Sequence, residues 1–138
     1  MNKESVIGID LGATNIRGAC INENNISEIK SQRIRSGGTE EEVLEDVFAL
    51  TDKLVDNKIA AIGIGVPSVV DVEKGIVYDV QYIPSWKEVH LKKILETRYG
   101  VPVFVNNDAN CFVLGELYFG KGIGMPALRG CSYKMRVT

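Results

Sequence analysis

Cysteine is scarce in this sequence. Only Cys20, Cys111 and Cys131 occur among 138 residues, an odd number with no CxxC spacing. That argues against a disulfide framework and a zinc knuckle, so no zinc site is expected. The reading that remains is three reduced thiols packed as small apolar groups, which implies a cytoplasmic protein. Long apolar runs are missing too: the longest, Ile59 to Val66, is far too short to span a bilayer. Met1 to Ser5 leads straight into a strand pattern without the apolar stretch of a secretion signal. An excess of basic charge is also absent. The formal net charge is −2, which gives no footprint for nucleic acid. The chain carries no Walker-type GxxxxGK[ST], no nucleophile elbow and no HExxH.

What is present suits one domain. The length of 138 residues and the 45% apolar content support a single core and exclude a disordered chain. They leave no room for two full lobes with a cleft between them. The charge is unevenly spread. All acids lie at or before Glu116, while Lys121, Arg129, Lys134 and Arg136 follow, so residues 1–120 carry −6 and residues 121–138 carry +4.

The residue patterns predict an α/β fold with a mixed sheet. Val6 to Ile9, Ile16 to Ile21 and Ile26 to Ile34 read as three strands joined by tight turns, an antiparallel meander. Thr39 followed by Glu42 forms a capping box. Val43, Val47, Leu50 and Leu54 then mark one face of an amphipathic helix. Ile59 to Val66 is a buried strand stopped by Pro67, and Gly75 turns the chain into a short strand at Ile76 to Tyr78. A second helix carries Leu91, Ile94, Leu95 and Tyr99 on one face and stops at Gly100. Val103 to Val105 is a further buried strand, and Asp108 through Phe119 a buried helix. The later strands alternate with helices and are therefore expected to be parallel.

Three segments could carry chemistry. In Gly8 to Gly18, Asp10 ends a strand and Gly12 lets a backbone turn approach a ligand closely. The Thr14 hydroxyl and the turn amides can donate to phosphate oxygens, and Asp10 can hold Mg²⁺. Arg17, on the next strand, can orient a phosphate or brace the turn. In Asn106 to Asn110, between a strand and a helix, Asp108 can accept a hydroxyl proton while neighbouring Asn side chains hold a polyol. Asp108 or Asn107 serving only as an N-cap is the plain alternative. The third segment, Gly63 to Asp71, has glycines but does not open a helix after Pro67, so a dinucleotide fingerprint is rejected. Its small residues suit a turn beside a sugar. His90 reads as a capping or surface residue, and Trp86 either stacks on a sugar or anchors its loop.

Taken together, DxGxTxxR at Asp10 to Arg17, GIGVPSxVD at Gly63 to Asp71, IPSW at Ile83 to Trp86 and VNNDAN at Val105 to Asn110 resemble the ROK family. That family comprises repressors, open reading frames and sugar kinases on the ribonuclease-H-like, actin-like ATPase fold. The resemblance covers residues 5 to about 122. It implies ATP- and Mg²⁺-dependent transfer of a phosphoryl group to a hydroxyl of glucose or an N-acetylated amino sugar. Asp108 would match the catalytic base and Asn107 a sugar contact. Asp10, Gly12 and Thr14, with Arg17, would match the first phosphate loop, and Gly65 and Pro67 would line the sugar pocket.

Two departures stand out. The family usually has Gly at Ser68, and Asn-Leu-Pro-Gly-Trp where this chain reads Tyr82 to Trp86. Beyond Gly122 the family's Gly-Thr-Gly phosphate turn and Glu-x-Gly-His sugar contact do not appear, and residues 123–138 form an atypical tail. The expectation is an N-terminal lobe, residues 1–122, ending in an aberrant tail and nearly inactive by itself. If the chain is a non-catalytic binding module, self-association through the face that a second lobe would cover is expected. A sugar-responsive transcriptional regulator and a non-catalytic sugar-binding fragment are the competing functions.

Overall fold

The structure, a computed structural model, describes residues 5–22, 25–56 and 58–107. Its main sheet has the strand order β3-β2-β1-β5-β9, with β4 also paired to β2. The strands are β1 (Ser5–Leu11), β2 (Asn15–Asn22), β3 (Asn25–Ile26), β4 (Lys30–Arg33), β5 (Ile59–Val66) and β9 (Val103–Asn107). β1 runs antiparallel to β2 and parallel to β5, which is in turn parallel to β9. A small antiparallel sheet adds β6 (Val69–Asp71), β7 (Ile76–Tyr78) and β8 (Glu88–Val89). Helices α1 (Glu40–Leu54) and α2 (Leu91–Tyr99) complete the described architecture.

The expected meander is present with one correction. Ile26 to Ile34 is not one strand: β3 and β4 both pair with β2 and are separated by Ser27 to Ile29. The break has a hydrogen-bond cause. The Ser27 N–H donates to the Cys20 carbonyl at 2.8 Å, and the Cys20 N–H donates to Ser27 Oγ at 2.9 Å. A side-chain oxygen thus takes the acceptor role that a strand carbonyl would fill. The turn at Gly75 makes β6 and β7 a short antiparallel hairpin, and β8, only two residues long, joins β7 with too short a pattern to read from sequence.

The helices follow their local signals. Thr39 Oγ1 accepts from the Glu42 N–H at 3.1 Å, and the Glu42 carboxylate accepts from the Thr39 N–H at 3.0 Å. Gly100 ends α2 in the left-handed conformation, φ 70°, which favours glycine. One face of the main sheet carries Ile7, Ile9, Leu11, Ile16, Ile62, Ile64, Val103 and Val105 into a core shared with Val43, Val47, Leu50 and Leu54 of α1. Gly18 faces that helix at a point where an added Cβ would lie 2.9 Å from Leu54 Cδ1. Among the described residues no helix is long and apolar enough to cross a membrane.

Candidate functional site

The three parallel strands end on one edge, and their register builds a site there. Asp10 of β1 pairs with Gly65 of β5, and Gly65 pairs with Asn106 of β9. Residues in register on neighbouring parallel strands project to one face. Asp10 and Asn106 therefore flank a strand that offers only a hydrogen between them. Two strand spacings separate them by roughly 10 Å, and Gly65 between them is buried. The row beneath is Gly8, Gly63 and Phe104, with both glycines buried. Open α/β sheets place ligands at the carboxyl ends of their strands.

Asp10 is held from the other side by Arg17, its cross-strand partner, with Nη2 donating to Oδ2 at 3.4 Å. Beyond them the β1–β2 turn is closed by the Gly12 N–H donating to the Asn15 carbonyl at 2.9 Å. A Cβ on Gly12 would sit 2.9 Å from that same carbonyl oxygen, so the turn admits no side chain there. The Thr14 carbonyl accepts from the Ile34 N–H at 2.9 Å, and the Ala13 carbonyl accepts from the Ser36 hydroxyl. These bonds fasten the turn through its carbonyls and leave the Ala13 and Thr14 N–H groups unengaged by them. Thr14 is exposed, its Oγ1 accepting from Asn15 Nδ2 at 3.2 Å. Such a turn presents donors to an anion.

At the end of β5 the Ser68 N–H donates to the Val66 carbonyl at 3.0 Å, a tight turn centred on Pro67. The Pro67 carbonyl accepts from the Gln81 N–H at 3.3 Å, which ties a second loop to this turn. At the end of β9 Asn106 is buried, and its Oδ1 accepts from the Asn107 N–H at 2.8 Å. Asn107 is exposed and in register with Val66, so it alternates to the face opposite Asn106. Asp108 lies outside the described residues, as do the helix expected from Asp108 to Phe119 and the tail at residues 123–138.

Register thus unites Asp10, Arg17, Gly65 and Asn106. Asn106 was singled out only as part of its motif, and its place in the row depends on a pairing that no local pattern encodes. Trp86 does not stack on a ligand. It is fully buried, and its Nε1 donates to the Glu40 carbonyl at 3.3 Å, which anchors the loop to the start of α1. His90 is the N-cap residue of α2 and lies 3.1 Å from Glu88 Oε2, away from the strand ends.

No group of three His, Cys, Asp or Glu occurs among the described residues that would hold a metal by itself. A single carboxylate beside a phosphate-binding turn is nonetheless how Mg²⁺ is usually held, its remaining ligands being waters and phosphate oxygens. Asp10 beside the Gly12–Thr14 turn fits that pattern.

Over most of its length the chain is similar to known proteins. The ROK family pattern matches residues 6–127. The chain is 36% identical over 124 residues to a putative xylose repressor of Caldicellulosiruptor sp., covering 83% of this chain and 30% of that protein. It is 33% identical over 126 residues to the glucokinase of Thermotoga maritima, covering 90% and 40%. A ROK family glucokinase from Streptomyces griseus, solved in complex with glucose and AMPPNP, superposes with a TM-score of 0.66 at 31% identity, covering 87% of this chain and 38% of that one. The chain therefore spans about two fifths or less of these relatives' length. The actin-like ATPase fold expected from the motifs is the fold of these neighbours. On sequence and fold together, the chain belongs to the ROK family.

Proposed function

We propose that this chain forms the N-terminal lobe of an ATP-dependent hexose kinase site acting on glucose or an N-acetylated amino sugar. The observation that carries the reading is the row of Asp10, Gly65 and Asn106 at the carboxyl edge of the parallel strands, with the Gly12–Thr14 turn beside it. The end of β5 at Gly65 and Pro67, where the tight turn begins, lines the sugar pocket. Asn107, the last residue of β9, contributes a hydroxyl contact from the strand end, where the sugar reaches past the face that carries Asn106. Asp108 accepts the proton of the attacking sugar hydroxyl. The turn amides and the Thr14 hydroxyl donate to phosphate oxygens, Asp10 is the cation ligand, and Arg17 holds Asp10 in place. Magnesium-bound ATP supplies the transferable phosphoryl group and a cation that offsets its charge.

In-line transfer needs donor and acceptor fixed on both sides, and the residues named here supply one side. The test is hexose-dependent ADP release over a panel of sugars. It is run on this chain and on the chain joined to a ROK C-terminal lobe. Turnover in the two-lobed protein that falls at least about a hundredfold in Asp108→Asn supports the proposal, since a positioned base contributes on that order. Turnover indifferent to that change overturns it.

A second reading, a sugar-responsive regulator, is favoured by the 36% identity to a putative xylose repressor. It expects sugar binding without ADP release.

A further inference from the structure

We infer that Tyr82 is a specificity-determining residue of the sugar site, its ring stacking on the C–H face of the hexose. The inference rests on the sugar-site reading above. Among the described residues only Asp79 and Tyr82 combine a side chain with a positive φ, at 46° and 69°. Both stand in the connection from β7 to β8. Gln81 and Tyr82 are the central pair of a turn in which the Ile83 N–H donates to the Val80 carbonyl at 3.2 Å. Positive φ at the second central residue is the type II arrangement, which favours Gly or Asn because they carry the least steric penalty there. A tyrosine is among the less suited residues, and local turn chemistry gives no reason for it.

The surrounding structure enforces the conformation. Val80, Ile83 and Trp86, on either side of the turn, are all buried. The Asp79 N–H donates to the Lys87 carbonyl at 3.0 Å, the Val80 N–H to the Trp86 carbonyl at 3.0 Å, and the Trp86 N–H to the Ile83 carbonyl at 3.0 Å. Trp86 is fixed to α1 in turn. The Gln81 N–H then clasps the Pro67 carbonyl, so Tyr82 is presented beside the turn that ends β5. Its side chain is not packed away: Tyr82 is 67% exposed. Val69, on the strand that leaves the same Pro67 turn, is 72% exposed. A strained position that is rigidly supported, and whose large aromatic side chain faces outward, marks a residue held for a ligand rather than for the fold. A tyrosine ring brings contact area at low entropic cost, and its apolar face matches the C–H face of a pyranose.

The test is saturation-transfer NMR on the full 138-residue chain with glucose and N-acetylglucosamine, backed by thermal melts. Tyr82→Asn suits the backbone conformation, so its melting temperature is expected to equal or exceed that of the parent. Its hexose affinity is expected to fall roughly threefold to tenfold, the range for losing one aromatic packing contact. Tyr82→Phe keeps the ring and is expected to keep the affinity. An unchanged saturation pattern in Tyr82→Asn overturns the inference, as does an affinity lost in Tyr82→Phe or a parent chain that binds neither sugar. Tyr82-dependent binding without any phosphoryl transfer leaves this inference standing and defeats the kinase reading. Transfer that depends on Asp108 with binding indifferent to Tyr82 does the reverse.

Discussion

Asp10 and Arg17 are opposed residues of the β1–β2 ladder, and their side chains meet at 3.4 Å on the sheet face that also carries Gly65 and Asn106. The Arg17 side chain is 62% exposed and that of Asp10 28%. An ion pair this accessible is screened by water and contributes about 0.5 kcal/mol or less to stability. Its role is therefore positional: it fixes the carboxylate beside the Gly12–Thr14 turn.

Arg17→Ala is expected to leave urea unfolding unchanged within about 0.5 kcal/mol. In the same variant the affinity for magnesium-bound ATP, read by calorimetry, is expected to drop severalfold. Gly12→Ala is expected to weaken nucleotide binding further, because its Cβ collides with the Asn15 carbonyl and opens the turn. Nucleotide affinity unaltered in both variants would remove the turn from the phosphate site.

Trp86 is the sole tryptophan, so its fluorescence reports one environment. Full burial predicts blue-shifted emission that neither glucose nor N-acetylglucosamine quenches. Trp86→Ala is expected to cost about 3–5 kcal/mol of stability, the range for emptying an aromatic core position. Trp86→Phe keeps most of the packing and loses the bond to the Glu40 carbonyl, a difference of about 1 kcal/mol. Sugar-dependent quenching would return Trp86 to the binding surface.

Asp46 is buried within α1, and it accepts from the Arg35 backbone N–H at 2.8 Å and from the Arg35 guanidinium at 3.0 Å. It thereby ties the segment after β4 to the helix. Asp46→Ala is expected to lower stability by about 1–3 kcal/mol, because the Arg35 N–H is left without its acceptor. Urea denaturation of the pair Asp46→Ala and Asp46→Asn checks this, with the amide expected to recover part of the loss.

Much of the fold was legible because each long element carries its own signal. β5 is a continuous apolar run bounded by Pro67, and α1 opens on the Thr39–Glu42 box and closes after Leu54. What stayed hidden depends on partners distant in sequence. The Asp10–Gly65–Asn106 row is set by register between strands dozens of residues apart, which packing decides and composition does not. The split between β3 and β4 turns on one serine hydroxyl reaching Cys20. Tyr82 at positive φ runs against its own propensity, and the buried residues around its turn, not its local sequence, hold it there.

Tyr99 joins the two helices and gives the fold a pH dependence. Its hydroxyl donates to Asp52 Oδ1 at 2.7 Å, and Arg98 Nη2 donates to Asp52 Oδ2 at 2.9 Å. Burial, and then the bond to Asp52, push the Tyr99 phenol up from 10.0 to about 12. Burial alone would raise the Asp52 carboxyl, but the bonds from Tyr99 and Arg98 outweigh it and hold the group below its ordinary 3.8. A tyrosine raised in the folded state contributes stability that is fully present below the unfolded value and lost as pH climbs from 10 to about 12. The lowered Asp52 contributes stability above 3.8 that is lost as pH falls through its folded value. Urea midpoints measured from pH 8 to 12 are therefore expected to fall more steeply for the parent than for Tyr99→Phe, which has no phenolic proton to lose. Lysine deprotonation is common to both proteins, so the difference between the curves isolates Tyr99. Parallel curves across that window would show that the Tyr99–Asp52 bond carries none of the alkaline stability.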